Sequence, residues 1–459
     1  VTRETRNLIA AAVVAVVTVT AAVAVLVRDQ PPAETFPAFT GPGYTDYLPG
    51  PTEDVQPAGP PAVESWRLDA EQAYGRKFAQ FRNPLWGTEF DSDDTGGIAV
   101  GSTVVAAIGL PKPGGYSLDH ARLVGVDAGS GAVRWQVPAD GLGGCAPRPL
   151  GESVVCFTTG YDGRDEIVAV DARSGEVTRT ATDWMSFGIA VGGDRVFTVE
   201  GNPEDADVRV HAGSVADPAA HWSTPVEVSG GWEDVPGTAV LTVAGDVALV
   251  QVAGEAVGLD ARTGRQTWAR VVPDCVESAA IVAGPVTLVG RTDCSGHLRE
   301  IEARAADGRV LTSVATGVAA QPERQVDPEL PMVIGDGAYD RTTGKRVWRS
   351  DDIRDATSVA VVGETVLVHA ADTASGIDLA TGERLWQRET DVAAEYVGYD
   401  GDVAYGGNGR GAFAMAPRTG EVVWALEDLG EPGGQPRLVV AGDSVVAVSG
   451  SAMAGVGAA

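Results

Sequence analysis

The groups in this chain of 459 residues that could do chemistry are four cysteines, five histidines and 63 acidic side chains. The cysteines are Cys145, Cys156, Cys275 and Cys294, with no C-x-x-C and no adjacent pair among them. Their local spacing reads as two structural disulfides of an oxidising compartment, Cys145–Cys156 and Cys275–Cys294. Loops this short stabilise a fold by roughly 2–3 kcal/mol. The histidines, His120, His211, His221, His297 and His369, show no paired metal-ligand spacing. No G-x-S-x-G nucleophile elbow occurs. Residues 91–98 (DSDDTGGI) begin like a calcium loop, with Asp91, Asp93 and Thr95 as the candidate ligands. Ser102 stands where the closing glutamate of such a loop belongs, so an acidic solvated loop is the better reading and calcium the alternative.

A more regular set of carboxylates is Asp127, Asp171, Asp260, Asp340 and Asp378. Each heads an Asp-x-x-Ser/Thr-Gly turn, as in LVGVDAGSGAVRW at 123–135 and AVGLDARTGRQTW at 256–268. Isolated, such an aspartate is a candidate acid or base. Repeated at one spacing, it is a turn device: the carboxylate accepts backbone N–H bonds and the glycine takes the left-handed position. The glycines fall at Gly131, Gly175, Gly264, Gly308, Gly344, Gly382 and Gly420, with Pro218 standing in the third copy. Their intervals are 44, 43, 46, 44, 36, 38 and 38 residues. A tryptophan follows on the outgoing strand at Trp135, Trp222, Trp268, Trp348, Trp386 and Trp424, placed to pack against a neighbouring sheet.

These turns alternate with a second hairpin of the form Val-x-Gly-(Asp/Glu/Ser)-x-Val-x-Val, as in VAGDVALV from Val243 and VVGETVLV from Val361. Two hairpins in about 40 residues make one four-stranded sheet, and sheets at that period form a propeller. The chain is therefore expected to be all-β, a single β-propeller over residues 62–459 with eight blades, nine being the alternative count. Residues 62–68 (AVESWRL) look like a missing outer strand, so the ring is expected to close by joining the two ends of the array.

The A-x-D-x-x-T-G-x-x-x-W signature resembles the PQQ-binding-like repeat of PQQ-dependent alcohol dehydrogenases and of the propeller lipoprotein of the bacterial outer-membrane assembly machine. The resemblance covers residues 62–459 and implies the fold. For the enzymes it also implies a vicinal Cys-Cys disulfide against the quinone, a catalytic Asp and a calcium site. The vicinal cysteines are missing here. No catalytic residue is assigned and no cofactor expected, PQQ and calcium being the alternatives.

Ahead of the array, residues 8–27 carry no charge, and at about 1.5 Å per residue they span a bilayer core of about 30 Å. Arg3 and Arg6 precede them, which orients residues 1–7 to the cytoplasm. The run is long for a cleaved leader, and no cysteine lies near its end for lipid attachment, so it reads as a transmembrane signal anchor. Residues 28–61 are proline-rich and read as a semi-stiff spacer. The expected location is the cell membrane, single-pass, with the propeller extracytoplasmic.

A formal net charge of −29 repels phosphates and argues against nucleic acid as a partner. The expected function is a membrane-anchored, non-catalytic scaffold or binding module for an extracytoplasmic protein or cell-envelope ligand. A quinoprotein-like oxidoreductase with a diverged site and a ligand- or carbohydrate-sensing propeller are the alternatives. Segments that depart from the repeat, at 111–120, 161–166, 202–207, 229–236 and 322–330, are expected to gather on one face, with Trp86 and Trp184 as candidate exposed aromatics.

Overall fold

The computed structural model describes residues 62–458 apart from 90–91, 93, 114–116, 160–164, 203–206, 228–240, 253–254, 272–276, 283–285, 293–297, 316–317, 320, 325–328, 355, 371–372, 390–394, 408–410 and 428–435. The expected cytoplasmic segment, anchor and spacer, residues 1–61, lie outside the described residues. No helix among the described residues is long and apolar enough to cross a membrane.

The described residues build nine sheets, each a four-stranded antiparallel blade, two of them with a fifth strand added. Blade 1 holds Ile98–Val100, Thr103–Pro111, Leu118–Asp127 and Val133–Pro138, with Gln80–Arg82 added beside its second strand. Blades 2 to 5 occupy residues 142–181, 185–226, 241–271 and 277–315. Blade 6 holds Val318–Ala319, Met332–Gly335, Gly337–Tyr339 and Arg346–Arg349. Blade 7 holds Ser358–Val362, Thr365–Ala370, Thr373–Asp378 and Arg384–Glu389. Blade 8 holds Glu395–Tyr399, Ala404–Gly407, Gly411–Met415 and Val422–Glu427.

Blade 9 corrects the expected count of eight. Its first three strands are Arg437–Ala441, Ser444–Val448 and Ala452–Ala458, and its outer strand is Ala62–Asp69 from the start of the array. Pairing runs from Ala62↔Ala458 to Asp69↔Ala452. Counting Asp-x-x-Thr-Gly turns misses this blade, because no such turn joins strands from opposite ends of the array. The expected closure by residues 62–68 is what makes it a complete sheet.

The core is divided among the nine blade interfaces, each with its own buried cluster. In blade 1, Val104, Ala106 and Ile108 pack with Val439, Val446 and Val448 of blade 9, while Val105 and Ala107 pack with Val154 and Val170 of blade 2. Successive side chains on a strand point to opposite faces, and here both faces are buried. The inner strands therefore read as continuous apolar runs such as VVAAI, not as apolar-polar alternation.

Antiparallel order puts the first-to-second and third-to-fourth turns of every blade on one face, the turn face. The second-to-third loops and the blade-to-blade connections leave from the opposite face. The described strand ends that flank four of the five non-repeating segments lie on that opposite face, while 114–116, 161–164, 203–206 and 229–236 lie outside the described residues. The fifth, 322–330, departs from the expectation. Gln321–Arg324 runs parallel to the first strand of blade 7, so the chain leaves it on the turn face before Met332–Gly335 returns.

Candidate functional site

The repeat aspartates come first, since they carried the question of acid-base chemistry. Oδ1 of Asp340 accepts from the N–H groups of Thr342 (3.1 Å) and Thr343 (2.7 Å) and from the Thr343 hydroxyl (2.7 Å). Asp171, Asp260 and Asp378 make the same three bonds, and Asp127 bonds the Ser130 N–H and hydroxyl. These donors favour the charged form and lower each carboxyl below the ordinary aspartate value. For Asp127 and Asp340 the neighbouring hydroxyl is the largest cause; for Asp378 burial pushes upward, and the Thr381 bonds together with Arg418 outweigh it. Carboxylates held low in this way are poor general bases at neutral pH. The five sit in five different blades and do not converge.

The tryptophans join blades. Four of the six donate the indole N–H to the residue that follows the first position of the next blade's turn. Trp135 bonds the Ala172 carbonyl (2.8 Å), Trp222 that of Ala261 (3.1 Å), Trp348 that of Leu379 (2.8 Å) and Trp386 that of Pro417 (2.7 Å). The rings lie on the glycine of that turn: a Cβ built on Gly175 would stand 2.7 Å from Trp135, and one on Gly420 would stand 2.5 Å from Trp386. Trp268 lies against Gly308 in the same way, but its buried N–H finds no acceptor. Gly344 is the exception, facing the Leu311 backbone because blade 5 has no tryptophan at this position. Trp424 is buried between blades 8 and 9.

Cys145 and Cys156 form the expected disulfide, joining directly paired residues on the first two strands of blade 2, both fully buried. Cys275 and Cys294 lie outside the described residues. The disulfide is cross-strand and in a blade interface, so it does not reproduce the vicinal pair of the quinone enzymes, and no step through that cofactor follows from these residues.

Of the calcium-loop candidates, Asp91 and Asp93 lie outside the described residues and Thr95 within them. The neighbouring Asp94 carboxylate is engaged by protein donors: Asn83 Nδ2 (2.8 Å), Trp86 Nε1 (3.0 Å) and Arg437 Nε (3.4 Å). It ties the segment before blade 1 to the first strand of blade 9. That segment also carries Phe78, 79% exposed with φ 66°, beside exposed Arg76 and Lys77. Trp86 is 37% exposed, and Trp184 is half-buried with the Arg209 guanidinium 4.0 Å above its ring. Of the histidines, His211 lies 3.5 Å from the buried Glu200 carboxylate, and His369 is buried between blades 7 and 8. Among the described residues, no three His, Cys, Asp or Glu side chains are grouped to hold a metal.

A cleft of about 530 Å³ opens on the turn face between blades 7 and 8. Leu330 enters from the non-repeating segment, Glu364 and Thr365 from blade 7, and Tyr399, Asp402 and Arg418 from blade 8. Two breaks in the repeat coincide here, since blade 8 has Ala416 where the other strong copies have aspartate. Without that carboxylate the turn is held by the Gly420 N–H to the Ala416 carbonyl (2.9 Å) and by Trp386 from outside. Arg418, next in the turn, reaches back to Glu364 (3.4 Å) and Asp378 (3.2 Å) of blade 7. Burial, with Asp402, Asp400 and Glu364 nearby, raises the Tyr399 hydroxyl above the ordinary tyrosine value. It stays a neutral donor, bonded to the Gly401 carbonyl. Of the cleft residues, Leu330 ends the non-repeating segment 322–330 singled out from the sequence; the others were not, and the lost aspartate at Ala416 was the further signal available.

Solved structures similar to this chain include BamB from Moraxella catarrhalis, at 15% identity over 86% of this chain and 97% of that one, with a TM-score of 0.40. The computationally designed Ika8 protein is similar at 12% identity over 82% of this chain and 99% of that one, with a TM-score of 0.45. The quinohemoprotein alcohol dehydrogenase ADHIIG from Pseudomonas putida HK5 is similar at 12% identity over 83% and 76% of the two chains, with a TM-score of 0.44. No curated protein matches the sequence. The family model described as outer membrane protein assembly factor BamB matches residues 66–316 and 337–457, and the chain belongs to that family.

Proposed function

We propose that this protein is a membrane-anchored extracytoplasmic propeller that serves as a non-catalytic scaffold for protein interaction. One observation carries the reading: the repeated groups that could have been catalytic are consumed in building the ring, while the described strand ends that flank the non-repeating segments lie at its two faces. The five repeat carboxylates bind their own turns and the docked tryptophans bind the neighbouring blade. A ring of this kind holds loops at fixed separations, which lowers the ordering cost of binding. Membership of a family described by an assembly factor supports it. The membrane anchor rests on residues 8–27 and the extracytoplasmic side on Arg3 and Arg6.

The test is photo-cross-linking in intact membranes with the full chain, placing the reactive group at Phe78 or at Trp86. The scaffold reading expects one discrete adduct from the face opposite the turns. Reproducible turnover of an alcohol with added PQQ, calcium and a dye acceptor would overturn it in favour of an oxidoreductase.

A further inference from the structure

Blade 1 shows how a set of acceptors on the turn face is filled. Ser102 and Thr103 open its second strand, and Asp127 stands directly across from Thr103 on the third. The Arg134 guanidinium bonds all three: Thr103 Oγ1 (2.5 Å), Ser102 Oγ (3.1 Å) and the Asp127 carboxylate. Blade 7 repeats the frame. Glu364 and Thr365 open the second strand, and Asp378 pairs with Thr365. The backbone between them is the same, Leu379 N–H to the Glu364 carbonyl at 2.9 Å, as Ala128 N–H to that of Ser102 at 2.9 Å.

The filling differs. Residue 385, which corresponds to Arg134, is a leucine. Arg418 comes instead from blade 8 and satisfies Glu364 and Asp378 only. Thr365 is 1% exposed and its Oγ1 has no partner. An unpaired buried hydroxyl is a cost that a native fold seldom leaves standing. It lies at the wall of the cleft, where Glu364 keeps a largely exposed side chain and Asp402 is exposed. Arg418 pairs with Glu364 and Asp378, and Asp402 lines the cleft as a further carboxylate, so these three outnumber the one guanidinium and the site retains negative charge. The Tyr399 ring supplies a flat wall.

We propose that this cleft receives an arginine side chain of a partner polypeptide, its guanidinium donating to Thr365 Oγ1 and to the Glu364 carboxylate and lying against Tyr399. The planar fork suits a hydroxyl beside a carboxylate, as Arg134 shows in blade 1, and it stacks on an aromatic face as a compact ammonium does less well. The proposal rests on the scaffold reading and adds to it a second contact, on the turn face: a basic, arginine-bearing segment of a partner.

The test is a titration of the full chain with acetyl-Gly-Arg-Gly-amide, followed by ligand-observed NMR, with the citrulline peptide as the uncharged control. The arginine peptide is expected to bind at least about tenfold tighter than the citrulline peptide, as expected for a charge-assisted pair. Thr365→Val and Glu364→Gln are each expected to weaken it about fivefold or more, while Ser102→Ala in blade 1 leaves it unchanged. Thr365→Val removes an unpaired hydroxyl, so its melting temperature should match or exceed the parent's and folding does not confound the comparison. Equal binding of the two peptides, or parental affinity in Thr365→Val, would overturn the proposal. Failure of the membrane cross-linking would remove the scaffold reading and leave the peptide titration to decide the cleft by itself.

Discussion

Trp66 donates its indole N–H to the Ala128 carbonyl at 3.0 Å, and its ring lies where a Cβ on Gly131 would stand 2.4 Å away. This is the bond that Trp135 gives to Ala172, made here by the strand that completes blade 9. The contact that joins neighbouring blades elsewhere therefore also closes the ring. Trp66→Phe should lose about 1 kcal/mol through the hydrogen bond, and Trp66→Ala about 2–3 kcal/mol with the packing. Urea unfolding of the full chain measures both. An unchanged midpoint in Trp66→Ala would mean that the outer strand does not hold the ring.

Trp268 makes the opposite prediction. Blade 5 turns through ADG, with Ala305 N–H bonded to the Arg309 carbonyl four residues on, where blade 1 bonds Asp127 N–H to Ala132 five residues on. The shortened turn offers no carbonyl, and the Trp268 N–H is buried without an acceptor. Trp268→Phe should lie within about 0.5 kcal/mol of the parent, against a loss of about 1 kcal/mol for Trp135→Phe. Paired thermal melts decide it, and equal losses would show that the ring, not the N–H, sets the cost.

Two left-handed glycines separate strain from crowding. Gly101 has φ 57° and an added Cβ would meet nothing within 4 Å; Gly382 has φ 77° and its Cβ would stand 2.7 Å from the Trp348 ring. Gly101→Ala should cost about 1 kcal/mol from the backbone alone. Gly382→Ala adds overpacking and should cost about 3 kcal/mol. Chemical denaturation of the two variants checks the order.

His369 sets an acid limit on stability. Its ring is buried between blades 7 and 8, 3.5 Å from the Tyr396 hydroxyl, and burial first, then the Arg388 charge, lowers its pKa. The unfolded chain therefore binds this proton before the folded one does. The stability it contributes is complete above the unfolded value of about 6.5 and falls as pH drops below it, by at most about 1.4 kcal/mol per unit. His369→Gln should flatten the profile between pH 6.5 and 5. A slope unchanged by the substitution would assign the acid limb to other groups.

The regularities of the repeat carried most of the fold. Asp127, Gly131 and Trp135 announce a turn and a packing residue, and their copies announce blades. The ninth blade was half-visible as AVESWRL, and its count was lost because the turn motif cannot mark a sheet assembled from both ends of the array. The cleft was less legible. Thr365 reads like Thr103, but the position of Arg134 holds Leu385 and Arg418 arrives from the next blade to other acceptors, which leaves the Thr365 hydroxyl unpaired.

What the sequence determined by itself was the local device: spacing, turn chemistry and alternation act between residues close along the chain. Closure by Trp66, the turn face on which the chain leaves Gln321–Arg324, and the acceptor left open at Thr365 were decided only in the tertiary structure. Each depends on which blade stands next to which. That is a property of the closed ring, because every interface is made by residues about forty positions apart or from opposite ends of the array.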